Sequence, residues 1–281
     1  MTRKLISQRH PLLYFLAVWY KRINRYLYWF FGPDKYSKQR LDSKLSYCIM
    51  KHESVLIKKL GASDITLQYN KVKNLRIATE KINGILIKPG ETFSFCRLVG
   101  RPTVQKGYLP GLELSFGDAC TGIGGGLCQI ANMLHWLILH SELTVIERHH
   151  HSFDPFPDDH RVVPFGTGAT LFYNYVDFRF KNKTPHTYQI NLWLSEEYLE
   201  GELRINTEPD HTYQVFEKNH RFLRANGEFY RQNEIWRSRI SKKAIDEVIN
   251  TELILKNFAR VKYIPESYEE AGERSTTSMM E

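Results

Sequence analysis

One stretch constrains this chain more than any other: Thr121–Ser152, TGIGGGLCQIANMLHWLILHSELTVIERHHHS. A glycine run leads into a strongly apolar helix, and a short strand follows that ends in three histidines. Gly122, Gly124, Gly125 and Gly126 let the backbone turn sharply and approach its neighbours closely. From Leu127 on, Ile130, Met133, Leu134, Leu137 and Ile138 recur at helical spacing and predict a buried stripe. Cys128, Asn132 and His135 share the opposite face at i, i+4 and i+7. Cys128 also falls in the first helical turn, where unpaired amides and the macrodipole favour a thiolate. A helix rises about 1.5 Å per residue and a strand about 3.3 Å. An antiparallel strand from Leu143 therefore draws level with Cys128 after roughly six residues, near His149. Strand alternation puts Glu147, His149 and His151 on one side and Arg148 and His150 on the other.

Around this stretch the pattern predicts an α+β fold, with helices mostly N-terminal and one central buried helix packed on a mainly antiparallel sheet. Lys35–Leu60 and Val72–Ile82 read as helices. Asn83-Gly84 turns into a strand at Ile85–Ile87, and Pro89-Gly90 turns into another at Thr92–Phe95. Arg101–Leu112 reads as a loop, as does the acidic, Pro-rich Ser152–Gly168, which is long enough to cover the end of the histidine strand. Thr170–Phe180 alternates as a strand, and Tyr188–Leu194 with Leu199–Ile205 forms a hairpin. Short strands follow at 213–216, 221–223, 229–231 and 235–240, with Asn226-Gly227 as a hairpin turn. Strand structure continues over Glu252–Tyr263. The expected organisation is a basic, aromatic segment (1–35), a core domain (36–206), a β-rich extension (207–265) and a polar tail (266–281).

Met1–Phe31 is basic and aromatic, and its apolar run ends at Lys21-Arg22, too short to cross a bilayer and without a small-residue cleavage site. Two readings follow for residues 11–31. The segment lies peripherally in a membrane interface, with Trp19 and Trp29 at headgroup depth, or it docks on the domain's own core, the commoner fate of such helices. A cytoplasmic location, peripheral on the membrane in the first reading, is the expectation. The net charge of +8 suits anionic lipid or polymer, and nothing reads as a nucleic-acid module. Cys48, Cys96, Cys120 and Cys128 form no disulfide framework.

Several separated motifs occur in an order that resembles the VanW family: INGILIKPGETFSF with LVG, GY and G after it, then GGGLCQ and IERHHHS, then YVDFRFKNKT. The resemblance runs from about Leu45 to Asn206. It implies bacterial cell-wall biology and glycopeptide resistance. The family tends to read Gly-x-Asp-Ala-Thr where this chain has Gly166-Thr167-Gly168-Ala169-Thr170, so Gly168 stands in place of an acid.

Three chemical readings of the central stretch stay open. In the first, Cys128 is the nucleophile of an amidase or transpeptidase-type acyl transfer on peptidoglycan or its precursors. His149 or His151 is then the general base, Gln129 or Asn132 orients the imidazole, and the amides near Gly126 form an oxyanion hole. Against it stands a buried, inert cysteine. In the second, Gly124, Gly125 and Gly126 cradle an anion while Arg148 and Arg101 serve a carboxylate, such as the C-terminus of a cell-wall peptide. The run lacks the Lys-Ser/Thr of a nucleotide loop, no cofactor is expected, and Arg148 has the alternative of pairing with Asp177. In the third, His149 and His151 bind a metal completed by Cys128, His160 or Asp154.

Overall fold

The computed structural model describes residues 10–57, 65–115, 118–150, 153–154, 157, 162–244 and 247–270. His151, His160 and part of the expected cover loop lie outside these residues. In chain order, α1 is Pro11–Phe31, capped by the His10 side chain, which accepts from Leu12 N at 3.2 Å. Two strands follow, β1 (Lys35–Tyr36) and β2 (Tyr47–Val55), then α2 (Ile65–Ile82). Next come β3 (Ile85–Ile87), β4 (Glu91–Ser94) and α3 (Phe95–Val99), whose first turn is capped by Ser94 Oγ accepting from Arg97 N. A hairpin, β5 (Pro110–Ser115) and β6 (Asp118–Ile123), precedes α4 (Cys128–Leu139), β7 (Thr144–Glu147), β8 (Phe153–Asp154) and β9 (Arg179–Lys181). The chain closes with β10 (Tyr188–Leu194), β11 (Tyr198–Ile205), β12 (His211–Ala225), β13 (Glu228–Ser241), β14 (Val248–Val261) and β15 (Glu269–Glu270).

The fold is α+β and its sheets are mainly antiparallel. One sheet has the order β2-β11-β10-β3, a second β1-β4-β9-β7, and a third β15-β12-β13-β14-β8. The main core lies between the first sheet and the two helices α2 and α4. Ile130, Ala131, Leu134 and Leu137 of α4 are completely buried there with Leu75, Ala78 and Ile82 of α2. The stripe expected for the central helix therefore seats it.

The helix expected over Lys35–Leu60 is corrected: Tyr47–Val55 is a strand, paired antiparallel along β11. From Met50 to Val55 its side chains alternate inward and outward, with Lys51 outward and in an ion pair with Glu200 at 3.2 Å. A partner some 150 residues away in the chain decided this, and local propensity did not. The strand expected at Thr170–Phe180 shrinks to β9. Before it Phe172 and Val176 bond reciprocally, at 3.0 and 2.9 Å, around a tight turn. The loop expected at Arg101–Leu112 contains the start of the β5–β6 hairpin. The four short strands read between 213 and 240 are two long ones, β12 and β13, joined at Asn226-Gly227 with both residues at positive φ.

Docking is the observed fate of α1, but not on the core. Trp29 is its buried residue, and polar side chains make the attachment. Arg25 forms a bidentate pair with Glu147 at 2.6 Å through both nitrogens, and Arg22 Nε donates to Tyr173 O at 3.1 Å. Glu147 also receives Arg179 Nη1 at 3.3 Å and the Asp177 amide at 3.1 Å. Burial alone would raise the Glu147 carboxyl, but the His149 contact and the Arg25 pair hold it at about 2.

That depressed value sets a sign. A carboxyl lowered from 4.5 to about 2 adds stability that is complete above 4.5 and is lost as pH falls towards 2. Asp177, raised by burial to about 6, contributes the opposite slope between 6 and 3.8. Glu147→Gln is expected to cost about 3 kcal/mol at neutral pH, since it strands a half-buried arginine. It is also expected to remove a slope of about 1.4 kcal/mol per pH unit between pH ~4 and ~2.5. Urea denaturation at a series of pH values measures both.

Candidate functional site

A cleft of about 1250 Å³ opens beside the N-terminus of α4. Its walls come from two irregular segments and two helices. The glycine run Gly124–Leu127 forms one wall and Pro164–Tyr173 the other, while Gln68 and Lys71 of α2 and Cys128, Gln129, Asn132 and Met133 of α4 form the floor.

Each wall is held by a buried helix. Asn74 of α2, completely buried, donates to the carbonyls of Leu109 and Gly125 at 3.0 Å and accepts from Leu109 N at 2.8 Å. A Cβ at Gly125 would stand 2.2 Å from the Gly111 backbone, so glycine is required by the close approach of two chains. On the other side, Asn132 Oδ1 accepts from Ala169 N at 2.7 Å, and His135 Nδ1 donates to Thr167 O at 2.5 Å. Arg148 Nη1 reaches the carbonyls of Gly166 at 2.8 Å and Gly168 at 2.6 Å. His135 is pushed down to about 3 by burial and by Arg148, so it is a neutral donor. A Cβ at Gly168 would lie 2.9 Å from Asn132 Oδ1.

The expected site residues separate into two groups. Gly124, Gly126, Cys128, Gln129 and Asn132 line the cleft; His149 and Arg148 do not. The alternation from Glu147 to His149 holds, with His149 Nε2 3.4 Å from Glu147 Oε1, but that side faces α1 and not Cys128. Arg148 stands off the lining, and its Nη1 ties the opposite wall and not Asp177. Gln129 Nε2 donates to Ser54 Oγ at 3.0 Å and Val55 O at 2.9 Å, which fixes α4 to β2 and orients no imidazole.

The expected thiolate is corrected. Cys128 is half-buried, and desolvation raises its thiol to about 11, with the Leu171 backbone offsetting only part of that. Loss of water outweighs the helix N-terminus here. As an anion cradle the glycine run is also constrained, because the amides of Gly124, Gly125 and Gln129 already donate to Leu109, Gly122 and Gly126 carbonyls. For the metal reading, Asp154 is paired with Arg231 at 3.2 Å, and among the described residues no three His, Cys, Asp or Glu form a ligand cluster.

The cleft also brings together residues the sequence did not point to. Arg22, Lys71 and Arg101 stand on its lining with one described acid, Glu113, whose ionisation burial opposes. Arg101 was legible as a carboxylate partner; Lys71 and Arg22 were not. A signal did exist in α2, where Gln68, Lys71 and Asn74 at i, i+3, i+6 put polar groups on the buried side, beside Leu75 and Ala78.

The geometry thus defines an α+β protein with a large cleft between two pinned segments. A family model described as VanW like protein matches residues 70–204. The vancomycin B-type resistance protein VanW of Enterococcus faecalis (strain ATCC 700802 / V583) is 32% identical over 268 residues, 95% of this chain and 97% of that relative. The uncharacterized protein YoaR of Bacillus subtilis (strain 168) is 32% identical over 111 residues, 39% of this chain and 35% of its own length. No solved structure matches the chain. The chain belongs to the VanW family.

Two outcomes follow from the site. Iodoacetamide at neutral pH is expected to label the exposed Cys48 and Cys120 before Cys128 and the buried Cys96. His149→Ala should leave the Cys128 rate unchanged, and peptide mapping over a time course reads all four sites. Asn132→Ala is expected to lower stability by about 1–2 kcal/mol, because the Ala169 amide loses its acceptor. A shift in the chemical denaturation midpoint, with unchanged slope, checks it.

Proposed function

We propose that this VanW-family protein acts in glycopeptide resistance as a binding protein, whose cleft takes a cell-wall peptide or precursor by a carboxylate. The observation that carries the reading is the charge of the cleft, where Arg22 and Arg101 share the lining with one described carboxyl, Glu113, whose ionisation burial opposes. Such a wall favours an anion, and an arginine pairs with a carboxylate through two parallel hydrogen bonds. At about 1250 Å³ the space suits an extended ligand of several residues, larger than most small-molecule sites. The role in vancomycin resistance comes from the name of the E. faecalis relative.

A thiol-dependent acyl transfer has less behind it. Cys128 does line the cleft, but burial keeps its thiol protonated, and the described histidines of the IERHHHS stretch lie outside the lining. In the binding reading Cys128 is a small residue of the cleft floor, and Cys128→Ser keeps the function.

Calorimetric titration with a synthetic wall peptide ending in a free carboxylate, against its C-terminal amide, tests the proposal. The acid is expected to bind at least about tenfold more tightly than the amide. Arg101→Ala, an exposed and readily tolerated change, should remove most of that difference. Equal affinity for acid and amide, or binding of neither, overturns it.

A further inference from the structure

The side of α1 that meets the protein is its polar one. The docked stripe is Val18, Arg22, Arg25 and Trp29, at i, i+4, i+7 and i+11, and it is anchored by Glu147, Tyr173 and Arg97. The outward stripe is Leu16, Tyr20, Ile23, Leu27 and Phe31, which are 54%, 69%, 52%, 50% and 84% exposed. Half of the large apolar residues that stand exposed among the described residues lie on this one helix. A helix serving its own domain alone would be oriented the other way, since an apolar stripe gains most by leaving water.

We infer that α1 lies in the interfacial layer of an anionic lipid bilayer, with its outward stripe among the acyl chains. Charge selects this occupant over a second copy of the chain. Met1–Phe31 contains no Asp or Glu, and besides the inward Arg22 and Arg25 it carries Arg3, Lys4, Arg9 and Lys21. Two such segments brought face to face would repel, whereas an anionic surface neutralises them, at roughly 1 kcal/mol for each nearby cation. The aromatic content agrees. Tyr14, Trp19, Tyr20 and Tyr28 are exposed and have the ring-plus-polar-tip character that favours headgroup depth.

The helix lies in the plane and does not cross. Its 21 residues would span about 31 Å, but Lys21, Arg22 and Arg25 fall in its second half, and no helix among the described residues is long and apolar enough to cross a membrane. Arg22 belongs both to α1 and to the cleft lining, so a protein held this way carries its cleft beside the lipid surface. The inference stands on α1 alone and does not depend on what the cleft binds.

Sedimentation of the full chain with phosphatidylcholine vesicles, with and without phosphatidylglycerol, is the test. Binding is expected to the anionic vesicles, weakening as salt is raised. The triple change Leu16→Glu, Leu27→Glu, Phe31→Glu should weaken it by about tenfold or more without shifting the melting transition. Should the triple variant fail to fold, the wild type decides by itself: brominated lipid is expected to quench its tryptophan fluorescence, and Trp19→Phe to remove most of that quenching. Equal binding by the folded triple variant, or no binding of the wild type to anionic vesicles, overturns the inference. So does a wild-type dimer in ultracentrifugation that the triple variant dissolves, because the stripe then belongs to a second copy.

Discussion

The backbone of Gly166–Ala169 has no strand to pair with, and three side chains, the buried His135 with Asn132 and Arg148, supply its hydrogen bonds. Asn132, His135 and Arg148 satisfy one amide and three carbonyls that would otherwise lack partners in a low-dielectric setting. The cleft exists because this happens twice. On the facing side Asn74 does the same for Gly125 and Leu109. Two helices whose apolar faces fill the core each present polar groups to an irregular segment, and the space between the segments stays open because neither can collapse inward. Removing any one of these groups leaves a buried polar atom unpaired, which costs more than the hydrogen bond itself contributes.

The same arrangement explains why Cys128, Asn132 and His135 looked catalytic in the sequence. A polar stripe on a strongly apolar helix has two common uses, chemistry and the support of backbone, and spacing alone does not separate them. Asn132 and His135 support backbone. Cys128 belongs to the cleft floor, where desolvation outweighs the helix dipole.

Much of the fold was legible where short-range chemistry decides it. The turns at Asn83-Gly84 and Asn226-Gly227, the β10–β11 hairpin and the buried stripe of α4 all follow from residues close together in the chain. Two of the misreadings share a cause, namely a partner distant in sequence. Tyr47–Val55 became a strand because β11 offered it an edge, and Glu147 with His149 turned to α1 because Arg25 was there. Lys71 was hidden for a similar reason. Its place in the cleft depends on the glycine run lying across α2, where a Cβ on Gly126 would meet the Lys71 stem at 2.2 Å.

Gly168 has a consequence for how this protein can change over generations. A Cβ there would lie 2.9 Å from the Asn132 oxygen, the far end of a side chain that can give way but already accepts from the Ala169 amide. The two positions are therefore tied in space. A carboxylate at 168 would have to displace that oxygen or turn the Asn132 amide nitrogen toward itself, and in either case the Ala169 N–H must find a new acceptor. Position 168 thus cannot change its chemistry without changing how the neighbouring segment is held.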